Sequence, residues 1–156
     1  MCPETGGGYN GAPAMSRIVR PDSPARMRAS ILEAVRVTLA ALDLGTYAEV
    51  RDRLAFLVLA LRQLQASVEQ TAEAWERRSY WVKVEQFRRA WSWVGQGAQA
   101  VGDPLLRGDA GLAQKAARAL EVRLPPARPT RARDLAALWT GAYARLTEQS
   151  ELGRKG

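Results

Sequence analysis

From Tyr47 onward the apolar residues Val50, Leu54, Leu57, Leu61, Leu64 and Val68 recur at alternating intervals of three and four, and Trp75 resumes the same phase after Thr71. This is the repeat of a helix with one apolar seam, sustained for about four heptads. Phe56, Val58, Leu59 and Ala60 widen the seam at its middle. Residues 54–61 are therefore apolar on nearly every side and need several neighbours to cover them, which predicts a long central helix.

The flanking patterns predict further helices. Ser23 followed by Pro24 supplies an N-cap and a first-turn proline. A stripe of Ile31, Val35, Leu39 and Leu42, widened by Leu32, then runs to Gly45. Thr46 and Glu49 have the spacing of a capping box, so the central helix starts at once and the two helices form an antiparallel pair. After Trp75 the phase slips by five residues to a new stripe of Tyr80, Val84, Phe87, Trp91 and Val94, which predicts a break or kink at 77–79. Tyr80, Phe87 and Trp91 follow core spacing and are read as packing. This third helix is expected to fade after Gly95-Gln96-Gly97, with residues 98–101 as a continuation at most, before Asp103-Pro104.

Asp109 caps a short helix containing Leu112, Ala116, Ala119 and Leu120, its alanines implying close approach to a neighbour. Pro125-Pro126-Ala127-Arg128-Pro129 reads as a stiff connector. Thr130 then caps a last helix with Leu135, Leu138, Trp139, Ala142 and Leu146 inward. The fold class is thus all-α: a small antiparallel up-and-down helical bundle with a long central helix and additional C-terminal helices. Residues 1–21, with Gly6-Gly7-Gly8 and few large apolar side chains, read as a flexible leader. Residues 22–150 form the bundle domain, with 108–150 as either a subdomain or its closing layer, and 151–156 are expected to fray.

Composition narrows the chemistry. The 156 residues contain one cysteine and no histidine, so no intramolecular disulfide forms and the usual zinc, haem or transition-metal ligands are missing. No cofactor, metal site or catalytic residue is assigned. Gly6-Gly7-Gly8 lacks the Lys-Ser/Thr of a phosphate loop, and the serines have no histidine base. Glu69, Glu73 and Glu76 share a helix face, as surface carboxylates commonly do. The chain is read as not an enzyme. The apolar run 54–61 is too short to span a bilayer and Met1 to Gly8 lacks a signal-peptide pattern, so no membrane insertion is expected and the default compartment is cytoplasmic.

Net charge is +7, and 20 of the 23 basic residues are arginine. Nucleic acid, membrane surfaces and acidic proteins all attract such a chain. Residues 75–93 hold four of the five tryptophans and five basic residues against two acidic ones. Trp81 and Trp93 lie off the core stripe, which makes Arg77, Arg78, Trp81, Lys83, Arg88, Arg89 and Trp93 candidates for an interaction surface, since Trp and Arg serve both as interface hot spots and as base-stacking and phosphate-holding groups. The second basic region, 107–133, carries net charge +5 and adds Arg118, Arg128, Arg131 and Arg133. Arg17, Arg20, Arg26 and Arg28 allow the leader to act as a basic arm. A helix-turn-helix is a poor match, because the second helix is too apolar to lie in a groove.

The favoured function is a non-catalytic helical interaction or assembly subunit that self-associates or binds a protein partner, its long seam being the contact surface. The alternative is a basic nucleic-acid-binding protein or the small subunit of a ribonucleoprotein complex. The first requires an apolar patch along residues 54–68 or at the Trp93 end. The second requires Arg77, Arg88, Arg118, Arg128 and Arg131 on one positive surface.

Overall fold

The computed structural model describes residues 23–124 and 135–155, and these form an all-α bundle around one long central helix. Helix α1 (Pro24–Ala40) begins where Ser23 Oγ accepts from the Arg26 amide at 3.2 Å. A turn through Gly45, at φ 85°, reverses the chain into α2 (Tyr47–Glu76). Thr46 and Glu49 close the expected capping box there. With 30 residues, α2 is about 45 Å long.

The chain breaks where the apolar phase slips. Arg77 caps α2, Ser79 adopts φ 62°, and α3 (Trp81–Leu106) returns antiparallel alongside α2. The expected fading of α3 near residue 97 does not occur. The helix passes through Gly95, Gly97 and Gly102 and takes Pro104 into its last turn. Packing overrides the low helix propensity of glycine here. A Cβ on Gly97 would lie 2.7 Å from Leu120 Cδ2, and one on Gly102 would lie 3.3 Å from Val58 Cγ1.

Asp109 Oδ1 accepts from the Leu112 amide and starts α4 (Ala110–Ala119), which tightens into a 3-10 turn (Leu120–Arg123). The inward face is Ala110, Ala113, Ala117 and Leu120, and Leu112 is 45% exposed. In a helix of alanines two stripes look alike in sequence, and only contact with α3 chooses between them. The last helix is divided into α5 (Leu135–Trp139) and α6 (Ala142–Lys155) by Gly141 at φ 80°. Helix α6 continues through Lys155, where fraying was expected.

Leu54, Leu57, Leu61 and Leu64 of α2 are fully buried, together with Val35 and Leu39 of α1, Val94 and Val101 of α3, and Ala142 and Leu146 of α6. Each buried leucine contributes roughly 1.5–3 kcal/mol of hydrophobic stabilisation. Helix α6 is tied down by polar contacts as well. On α2, Asp52 accepts from the Gly141 and Tyr143 amides at 3.1 and 2.9 Å, capping α6 from a neighbouring helix. Trp139 Nε1 donates to Thr38 Oγ1 at 2.9 Å, and Arg51 lies 4.1 Å from the Tyr143 ring centroid.

Candidate interaction surface

Much of the basic charge is consumed inside the fold. Arg28, expected in a basic arm, is buried. It donates to Ser67 Oγ and Thr71 Oγ1 at 3.2 and 2.9 Å, and lies 5.1 and 5.7 Å from the Phe87 and Trp91 rings. Burial lowers its pKa from the ordinary value. Arg53, also buried, donates to the Leu42 and Leu44 carbonyls and lies 5.0 Å from the Trp139 ring centroid. Arginines here satisfy the carbonyls that end α1 and stack on aromatic rings, two uses suited to a planar guanidinium.

The same holds for two of the candidate residues. Arg88 donates to Glu69 at 2.9 Å and to Glu76 at 2.8 Å, bridging α3 to α2. Hydrogen bonds donated to Glu69 and then to Glu76 hold its guanidinium well above the usual pKa, while Arg88 in turn lowers that of Glu76. Arg118 donates to the Leu39 carbonyl at 2.9 Å and pairs with Asp43 and Glu121. It sits at the end of the bundle where α2 begins, whereas Arg88 reaches the residues where α2 ends, about 40 Å away along that helix. Neither is an open phosphate contact, and the two do not share a surface. Arg128, Arg131 and Arg133, with Thr130, lie outside the described residues.

The apolar seam is equally occupied. Leu54, Leu57, Leu61 and Leu64 are each 0% exposed and Val68 is 5% exposed, so α1, α3 and α6 of the same chain cover what the sequence left open to a partner. Trp93, read as off the core, is half-buried against it and stacks on Trp91 with centroids 6.5 Å apart.

Leu44, Tyr47, Leu112, Val122, Leu138 and Leu152 are exposed elsewhere on the bundle, but only the tip of the α2–α3 hairpin exposes consecutive large apolar side chains among the described residues. Tyr80, Trp81 and Val82 are 47%, 62% and 69% exposed, three consecutive large apolar side chains in water. Tyr80 was expected in the core. It instead takes the non-helical N-cap position of α3, φ −90° and ψ 60°, without a side-chain cap hydrogen bond, and the turn directs it outward. Arg77 and Arg78 flank the tip, are exposed, and make no ion pair with a described residue. Lys83 Nζ lies 4.5 Å from the Trp75 ring centroid, and Arg89 pairs with Glu85 at 3.4 Å. The sequence singled out Trp81, Arg77, Arg78 and Lys83 but missed Tyr80 and Val82. The available signal was Val82, which lies beside Trp81 and off the Tyr80–Val84 stripe.

Ser79 is the only described residue other than glycine with positive φ. Such a conformation costs an L-residue roughly 1–2 kcal/mol and is maintained here at the point that exposes the aromatic pair. Among the described residues no helix is long and apolar enough to cross a membrane, and no His/Cys/Asp/Glu group has the arrangement of a metal site. Compared with known proteins, the chain matches no family model, no curated protein and no solved structure.

Proposed function

We propose that this chain is a non-catalytic interaction module that docks onto another surface through the tip of the α2–α3 hairpin. One observation carries the reading: Tyr80, Trp81 and Val82 stand exposed together on a rigid helical hairpin, beside Arg77 and Arg78, which pair with no described carboxylate. An exposed aromatic cluster with cations is what a contact surface uses and what a chain without a partner has reason to bury. Self-association through the residue 54–68 seam is replaced by contact at the tip, because the seam is spent in the core. The nucleic-acid alternative loses support from Arg88 and Arg118, which are held by carboxylates in different parts of the bundle.

The test uses the full chain carrying Cys2→Ser and Val82→Cys, labelled with an environment-sensitive fluorophore. A matched control carries Cys2→Ser and Gln99→Cys, which places the label at an exposed position of α3 remote from the tip. Both proteins are titrated with unlabelled chain, acidic peptides, single- and double-stranded nucleic acids and lipid vesicles. A response at position 82 that is absent at position 99 supports the reading. Silence at both positions, or equal responses, overturns it.

A further inference from the structure

Resting on that reading, we infer that the surface taken by the tip is an anionic lipid bilayer, docked at headgroup depth with no helix crossing it. Size is the first argument. At 47%, 62% and 69% exposure, Tyr80, Trp81 and Val82 offer roughly 350 Å² of apolar area. That is below the roughly 450 Å² of apolar area within the roughly 800 Å² that each side of a stable protein–protein interface buries. A bilayer interface requires neither that area nor a complementary shape.

Residue chemistry is the second argument. Tyrosine and tryptophan have an apolar ring and a polar edge, and they partition to the level of the lipid headgroups. Here they occupy the turn that joins α2 to α3, accompanied by Val82. Helices α4, α5 and α6 pack nearer the other end of α2, as the contacts of Gly141 with Asp52 and of Arg118 with Asp43 locate them, and leave this end clear.

Charge is the third. Arg77 and Arg78 precede the aromatic pair by one residue, Ser79, and Lys83 follows Val82 directly. Arg26 is exposed near the start of α1, which runs beside the end of α2 through the contact of Arg28 with Thr71. The carboxylates facing this end are Glu69, Glu73, Glu76 and Glu85. Arg88 is shared between Glu69 and Glu76, and Arg89 pairs with Glu85, so two negative charges, that of Glu73 and one from the Glu69–Arg88–Glu76 group, stand against the four cations Arg26, Arg77, Arg78 and Lys83. An anionic headgroup layer complements that balance, and each Lys or Arg near such a surface strengthens binding severalfold.

The experiment is co-sedimentation of the full chain with vesicles of phosphatidylcholine alone and of phosphatidylcholine with 30% phosphatidylserine, at low and high salt. Binding is expected to the anionic vesicles and to weaken with salt. Arg77→Ala/Arg78→Ala should reduce the partition constant roughly thirtyfold, and Trp81→Ala on the order of tenfold. Arg107→Ala/Arg123→Ala, with the same charge change at residues remote from the tip, should have much the smaller effect. Nitroxide-labelled lipids should quench the wild-type protein more than Trp81→Phe. Equal losses for the two arginine pairs, equal binding to both vesicle types, or quenching that does not depend on Trp81 would each overturn the lipid assignment. If the label at position 82 responds instead to concentrated chain, an acidic peptide or nucleic acid, the lipid assignment fails while docking through the tip stands. Silence towards every probe removes both.

Discussion

Replacing Asp52 with alanine tests whether α6 is held to α2 by a cap supplied across the bundle. The carboxylate accepts from the Gly141 and Tyr143 amides at 3.1 and 2.9 Å and is half-buried in the α2–α6 interface. Losing an N-cap costs about 0.5–2 kcal/mol, and hydrogen bonds to a charged acceptor contribute about 1.5–3 kcal/mol. The higher helix propensity of alanine in α2 returns about 0.5 kcal/mol. A net loss of about 2 kcal/mol is expected. For a chain of 156 residues this lowers Tm by about 4–8 °C. Asp52→Asn, which keeps one acceptor oxygen, should lose about half as much. Urea unfolding at 25 °C reads the stability change, and amide exchange at residues 141–146 shows whether the loss begins at the start of α6. A midpoint within error of wild type, or unchanged exchange at those amides, would refute the capping argument.

The other predictions concern the tip, the α1–α5 contact and acid stability. Ser79→Gly removes a left-handed backbone penalty of about 1–2 kcal/mol at the cost of a more flexible unfolded chain, so a net gain of about 0.5–1 kcal/mol is expected in urea unfolding, and a destabilised variant would contradict it. Trp139→Phe keeps an aromatic ring beside Arg53 but loses the bond to Thr38 Oγ1 and part of the ring area, an expected cost of about 1–2 kcal/mol, and a cost near zero would show that this bond is not holding α5. The Glu76 carboxyl is held below its ordinary pKa by its hydrogen bond from Arg88, and that of Glu49 by the backbone and then the side chain of Thr46. A depressed folded pKa means that the stabilisation is complete above the unfolded value, near pH 4.3, and is lost as pH falls through the folded value. The stability difference between wild type and Glu49→Gln/Glu76→Gln should therefore shrink between about pH 5 and about pH 2, and a constant difference over that range would refute the assignment.

The candidate surface was half legible in the sequence. Trp81 could be suspected because it leaves the 3–4 stripe, and it does stand in water. Arg88 looked equally free, yet its partners Glu69 and Glu76 lie 19 and 12 residues earlier on another helix, and only the α2–α3 pairing brings them within 2.9 Å. Arg118 meets Asp43 from 75 residues away. Whether an arginine is a spare cation or an internal tie depends on such distant carboxylates and carbonyls, which local spacing does not reveal.

Features set by interactions spanning a few residues were readable from the chain alone. Ser23 caps the amide of Arg26, Thr46 and Glu49 close a capping box, Asp109 caps Leu112, and the phase slip after Trp75 marks the break at 77–79. The seam of α2 likewise declared that several neighbours must cover it. Which neighbours they are, and so whether any apolar surface is left for another molecule, was decided by the tertiary structure. Gly95 and Gly97 read locally as the end of α3, but the missing side chains there and at Gly102 let the helix run on against Gln65, Leu120 and Val58. Tyr80 read as core, but the turn at Ser79 placed it at the N-cap facing solvent. Propensity and capping act within a turn of helix, whereas burial depends on every element that packs against a residue, and at this tip none of the described helices covers the aromatic pair.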